Sequence, residues 1–210
     1  SIDVTLKRSR IPIHSVVASE PMPDGTGYIK VVRFARNTHE EFDAALSDLR
    51  NRGVDRLVID LRGNGGGYLH AAVPMVERFL DENDLVVYTE GASQPRRDYV
   101  TERPGRHRSL PLVVMVDEGS ASASEIMAGA LQDHDRAIIV GRRTFGKGLV
   151  QEEFPVADRG ALRLTVARYY TPSGRSIQRP YGRGVDYEEE WLEREARGEY
   201  VEADSVLKVD

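Results

Sequence analysis

Apolar positions along this chain recur with two different periods, and the middle of the sequence switches between them. Gly27-Tyr28-Ile29-Lys30-Val31-Val32-Arg33-Phe34 reads as a strand. Thr38 followed by Glu41 has the form of a capping box, and Phe42, Leu46 and Leu49 then share one helical face up to Gly53. Arg56-Leu57-Val58-Ile59-Asp60-Leu61 is a short apolar run between turn signals, as expected of a strand buried on both faces. A glycine-rich loop, Gly63-Asn64-Gly65-Gly66-Gly67, separates it from a helix at about 69–80.

The alternation continues. Leu85 to Tyr88 predicts a strand, and Ala92 to Ser109 an exposed loop or ragged hairpin. Pro111 to Val116 predicts a buried strand that runs into Asp117-Glu118-Gly119 and a helix from about Ser122 to Gln132. Ala137 to Gly141 follows as a strand, and His134 falls at the far end of the preceding helix. Leu149 to Val156 and Leu162 to Tyr170 predict antiparallel strands joined by a turn at Asp158-Arg159-Gly160. Tyr187 to Arg197, around Trp191 and Leu192, predicts a surface helix. Alternating strands and helices in the middle, with antiparallel strands at the ends, give an α/β fold: a mixed sheet whose parallel central strands are flanked by helices.

Composition narrows the picture. The 210 residues suffice for one good-sized domain, with 40% apolar and 30% charged residues as in an ordinary globular protein. A net charge of -5 disfavours nucleic acid as a partner, and no stretch approaches the roughly 18 apolar residues of a membrane span. With no cysteine, disulfides, thiol catalysis and cysteine metal sites are excluded. The chain starts at Ser1 without a signal peptide, and Ile2 to Leu6 alternates like a strand. The expectation is an excised segment: residues 1–26 as the end of an upstream domain with its linker, 27–180 as a core, and 181–210 as an acidic extension.

The candidate chemistry lies at Gly119-Ser120-Ala121-Ser122-Ala123-Ser124-Glu125, between a buried strand and an apolar helix. Free N–H groups and the positive end of the helix dipole favour an oxyanion beside a serine placed there. The plainer reading is that Ser122 caps its helix, with Glu125 completing a capping box. A nucleophilic serine needs a base. None of His14, His39, His70, His107 or His134 lies in a segment suited to that role, and only His70, which begins the helix after the glycine loop, stays in reserve. Lysine can serve if burial lowers its pKa by several units from about 10.4. Lys147 sits between glycines, with Phe145 and Leu149 expected to form an apolar surround. Gln151 falls on the same side of an extended segment and could orient the amine. The glycine loop could turn N–H groups into the cleft and complete an oxyanion hole.

Two nucleotide-binding readings compete. Gly141 to Lys147 fits G-x-x-x-x-G-K, but Gly148 replaces the required Ser or Thr, and a strand rather than a helix is expected next. The dinucleotide pattern beginning at Gly63 fails at Tyr68.

Taken together, Asp60-Leu61-Arg62-Gly63-Asn64-Gly65-Gly66-Gly67, the run from Gly119 to Gln132, Thr144 to Gln151, and Tyr169-Tyr170-Thr171-Pro172-Ser173-Gly174-Arg175-Ser176-Ile177 resemble the C-terminal processing peptidases, or tail-specific proteases. The resemblance implies a ClpP/crotonase-like core and a serine endopeptidase that cleaves polypeptides near their C-termini through an acyl-enzyme. Ser122, the middle serine of three, would be the nucleophile, Lys147 the general base and Gln151 its orienting partner. Gly67, with Gly66, and the Ala123 amide would form the oxyanion hole. No metal or organic cofactor is implied. The partner would be a polypeptide substrate, with a homo-oligomer left open, and the location the periplasm or cell envelope. The resemblance implies that the family's peptide-binding PDZ domain is absent or reduced to its last strand, near Ile2 to Arg8, and that a later glycine-rich segment would lie beyond this core. A non-catalytic peptide- or ligand-binding module of the same fold remains the alternative.

Overall fold

The computed structural model describes residues 13–156, 160–182 and 187–200. Its first sheet has the order β1-β2-β3-β6-β7, formed by β1 (Val16–Pro21), β2 (Thr26–Val31), β3 (Arg56–Asp60), β6 (Leu112–Val116) and β7 (Ile138–Gly141). β1 pairs antiparallel to β2, and the other neighbours are parallel. Helices α1 (Thr38–Asn51), α2 (Leu69–Glu77) and α3 (Ala123–Asp133) lie in the crossovers. Every crossover steps the same way across the sheet, so right-handed connection places all three helices on one face. They touch in order, α1 on α2 and α2 on α3.

A second, antiparallel sheet has the order β5-β4-β9-β8, from β4 (Leu85–Glu90), β5 (Arg97–Val100), β8 (Leu149–Val156) and β9 (Gly160–Tyr170). α4 (Tyr187–Ala196) follows.

Period-2 burial sets the core. Ile29, Val31, Leu57, Ile59, Leu61, Leu112, Val114 and Val116 face the helices and are buried, together with Phe42, Leu46 and Leu49 of α1 and Met75, Val76 and Phe79 around α2. The opposite sheet face, including Val58, Val113 and Met115, is only half-buried. β3 is therefore covered fully on one face rather than two, because no crossover returns a helix to the other side.

Several expectations change. β1 lies within the segment expected to precede the core, yet it is the edge strand of the main sheet. Of the loop and the hairpin expected after β4, the hairpin forms, with β5 returning along β4. Thr38 does not cap α1. Asn37 holds that position, while Thr38 Oγ1 accepts the Ala35 N–H and donates to Ser15 Oγ at 2.6 Å. Glu41, expected to close a capping box, instead accepts the N–H groups of Ser15 and Val16 and fastens β1 to α1. The strand expected at Ile2 to Leu6 lies outside the described residues, as do Asp158 and Arg159 of the expected turn.

Both ends of α3 are fixed. At its C-terminus, His134 Nε2 meets the Leu85 carbonyl at 2.7 Å. Asp133 accepts the Ser173 N–H at 2.9 Å and Oγ at 2.7 Å and pairs with Arg175, which holds the turn after β9 against the helix. The N-terminus opens into the site.

Asp60, at the carboxyl end of β3, is 1% exposed. Burial alone would raise its pKa, but donors from Arg62 (3.0 and 2.9 Å), Tyr28 (2.6 Å) and Lys30 (3.1 Å) outweigh that and hold the carboxyl well below the usual range. Lys30 Nζ also donates to the Arg62 carbonyl at 2.6 Å, so the cluster fixes the start of the glycine loop. A depressed folded-state pKa stabilises the protein above the unfolded value, near 4, and that contribution fades as pH falls below it. Asp60→Asn should therefore cost on the order of 3 kcal/mol at neutral pH. Urea unfolding should show the gap to wild type closing as pH drops below about 4.

Candidate active site

The loops after β3, β6 and β7 leave the same carboxyl edge of the parallel strands, where open α/β sheets gather their sites. The loop after β6 is a tight turn built from its own side chains. Asp117 Oδ1 accepts the Gly119 N–H at 2.9 Å and, across the gap, the Gly63 N–H at 2.8 Å. Ser120 Oγ accepts the Asp117 N–H and donates to the Leu61 carbonyl at 2.8 Å, and Ser124 Oγ donates to the Asn64 carbonyl at 2.9 Å. Both outer serines are fully buried and serve as stitches between the turn and the glycine loop.

Ser122, between them, is half-buried and has φ 57° and ψ -113°. The other described non-glycine residues with positive φ are Asn83 and Asp135, types that tolerate it. For serine this conformation is strained by about 1–3 kcal/mol, and it is the geometry of a strand-to-helix elbow that presents a hydroxyl. The Ala123 N–H, at the first position of α3, has no hydrogen-bond partner among the described residues.

The glycine loop packs directly on this elbow. A Cβ on Gly66 (φ 90°) would lie 2.4 Å from the Ala121 oxygen and 2.7 Å from Ser122 Cβ. A Cβ on Gly67 (φ 146°) would lie 2.1 Å from the Phe34 oxygen. Glycine is required at both places by close backbone approach. The Gly66 N–H is already bound by Asn64 Oδ1 at 2.9 Å, whereas the Gly67 N–H has no partner among the described residues.

Glu125 joins the elbow to the loop that carries Lys147. Its Oε2 accepts the N–H groups of Ser122 at 2.7 Å and Lys147 at 2.8 Å, and its Oε1 accepts the Gly146 N–H at 2.6 Å and the Thr144 hydroxyl at 2.8 Å. The carboxylate is buried, and four donors surround it. From the other side, Gly148 donates to Gln178 Oε1, and Arg179 and Tyr169 N–H groups close onto Gly146 and Gly148 carbonyls. Tyr169, Gln178 and Arg179 thus brace the lysine loop.

The Lys147 amine does not sit in the expected apolar surround. Lys147 is exposed, and Phe145, 43% exposed, turns its ring under the Arg179 guanidinium at 4.8 Å instead of over the lysine. The Glu125 bonds hold the backbone of this loop and the Thr144 hydroxyl, and leave the Phe145 and Lys147 side chains exposed. No Ser122–Lys147 or Lys147–Gln151 side-chain hydrogen bond forms among the described residues, and Gln151 is exposed in β8 opposite Thr165. His134 lies one helix length from Ser122, roughly 16 Å. His70 is exposed on α2 with its ring 4.9 Å from that of Tyr68. The Lys147 loop runs into strand β8, so the helix of a nucleotide-binding loop is absent there.

Sequence reasoning weighed Glu125 only as a helix cap and passed over Asn64. A carboxylate three residues after the candidate nucleophile and an asparagine inside a glycine run, able to bond its own backbone two residues on, were the available signals.

A cavity of about 640 Å³ borders the lysine loop, lined by Glu125, Gly129, Thr144, Gly146, Thr171 and Arg175 among others. A more apolar one of about 670 Å³ is lined by Phe145, Trp191, Leu192 and Tyr200. The arrangement presents one hydroxyl beside two amides that have no hydrogen-bond partner among the described residues.

The model of Peptidase family S41 matches residues 25–190. The chain is 40% identical over 185 residues to "Carboxyl-terminal-processing peptidase 3, chloroplastic" of Arabidopsis thaliana, covering 83% of this chain and 35% of that protein. It is 40% identical over 182 residues to "Carboxy-terminal-processing protease" of Bartonella bacilliformis, covering 84% and 41%. Among solved structures, a photosystem II D1 C-terminal processing protease superimposes with a TM-score of 0.69 at 38% identity, covering 79% of this chain and 44% of that one. The chain spans less than half the length of these relatives. A family model that covers most of the chain and relatives of this identity leave one assignment: the chain belongs to peptidase family S41.

Proposed function

We propose that this chain is the catalytic core of a serine endopeptidase that cleaves polypeptides near their C-termini, with Ser122 as nucleophile and Lys147 as general base. The observation that carries the reading is the Ser122 backbone at φ 57° and ψ -113°, a strained conformation kept beside two unpaired amides. In the proposed reaction the neutral Lys147 amine takes the Ser122 proton as the Ser122 oxygen bonds to the scissile carbonyl carbon. The Gly67 and Ala123 N–H groups hold the oxyanion. The C–N bond then breaks, Lys147 returns the proton to the leaving amine, and an acyl-enzyme remains. Water, deprotonated by Lys147, releases the acid and restores Ser122. Gln151 would orient the amine.

The exposed position of Lys147 fits this scheme if the peptide itself supplies the apolar cover, since catalytic hydrogen bonds often tighten only in the substrate complex. The same exposure favours the second reading, a non-catalytic binding module of this fold. The relatives named for C-terminal processing support a polypeptide substrate, and a place of action outside the bacterial cytoplasm, in the periplasm or cell envelope, belongs to the proposal.

In the full-length protein, Ser122→Ala and Lys147→Ala should each lower kcat by about 10⁴-fold or more. Lys147→Arg should be equally inactive, because a guanidinium stays protonated. Acid quench and mass spectrometry should find the acyl group on Ser122. Turnover by the Ser122→Ala protein would end the dyad assignment, and an inert wild type would leave the binding module.

Glu125→Gln keeps the shape but turns an NH2 toward N–H donors. It should slow acylation and cost on the order of 2 kcal/mol of stability, read by single-turnover kinetics and thermal melting.

A further inference from the structure

Asn64 is fully buried at the centre of the glycine loop, and three parts of the fold meet on it. Its Nδ2 donates to the Val31 carbonyl at the end of β2, at 2.9 Å. Its Oδ1 accepts the Gly66 N–H at 2.9 Å. Its backbone carbonyl accepts the Ala121 N–H at 3.0 Å and Ser124 Oγ at 2.9 Å, both from the nucleophile turn, while its own N–H closes on Leu61 at 3.0 Å.

We infer that Asn64 is the positioning residue that decides which loop amide stabilises the transition state. A flexible glycine loop next to Ser122 has two candidate donors, Gly66 and Gly67. Asn64 Oδ1 occupies the Gly66 N–H and takes it out of play, while the next peptide plane, which carries the Gly67 N–H, is held through its carbonyl by the Phe34 N–H at 2.9 Å. The Gly67 N–H is left as the free donor. The contacts to Ala121 and Ser124 set this donor and the Ser122 elbow in one rigid unit. The side chain needs both an acceptor and a donor a short reach apart, which an amide supplies and a carboxylate or hydroxyl does not. Asn64 acts through Gly67 and touches no substrate. The inference rests on the Ser122 reading above.

The test uses the full-length protein, a peptide substrate and a peptide boronate that forms a tetrahedral adduct on Ser122. Asn64→Ala should lower kcat by about 10²-fold, the loss attached to one oxyanion donor, with KM within about threefold. Boronate affinity should fall by a similar factor. Asn64→Ser loses the Val31 bond as Ala does, but its hydroxyl can still accept the Gly66 N–H. Its melting temperature should match that of the Ala variant while its kcat recovers about tenfold. A role in folding alone would make kcat follow stability in both variants, and that outcome overturns the inference, as does unchanged boronate affinity. If neither variant folds, the boronate adduct of the wild type decides. The Gly67 N–H should meet the boronate oxygen with Gly66 still on Asn64, and the reverse pairing overturns the inference. Failure of wild type to form an adduct at Ser122 would instead defeat the dyad reading.

Discussion

One buried carboxylate governs this site. Glu125 accepts donors from Thr144, Gly146 and Lys147 on one loop and from Ser122 on another. A desolvated carboxylate surrounded by donors is stable only while the donors stay, so the bonds act as a set. The two loops follow different strands, β6 and β7, and lead to different elements, α3 and β8. Without a shared acceptor, each could drift independently by more than a catalytic geometry tolerates.

The rest of the site follows the same logic of side chains binding backbone. Asp117, Ser120 and Ser124 fasten the nucleophile turn to the glycine loop. The Asp60 cluster fixes the loop where it leaves β3. Among the described residues the amides of Gly67 and Ala123 remain unstitched, while the Ser122 side chain accepts the Glu125 N–H in the capping box that opens α3. The strain at Ser122 is small beside this network, which is why it can persist.

Much of this was legible in the residues. The apolar runs at Arg56 to Leu61 and Pro111 to Val116 identified the parallel strands, since burial demands such runs. The glycine run at 63–67 reads as a loop able to turn N–H groups into a cleft, and the structure adds that Gly66 and Gly67 press against the Ala121 and Phe34 backbones. What was not legible came from contacts between distant segments. Thr38 and Glu41 match a capping box locally, yet β1 competes for both side chains across the fold. Lys147 between Phe145 and Leu149 reads as buried by its neighbours in sequence, while Arg179 draws the Phe145 ring away. Glu125 looked like a cap because half of it is one, and the three donors from the Lys147 loop lie some twenty residues further along the chain.

The clamp at the opposite end of α3 carries a mechanical meaning. Asp133 grips the turn at Ser173 and Arg175, and a short helix barely compresses along its axis. The turn after β9 and the elbow at Ser122 are thus tied to opposite ends of one helix, so neither end of α3 is held by the sheet alone.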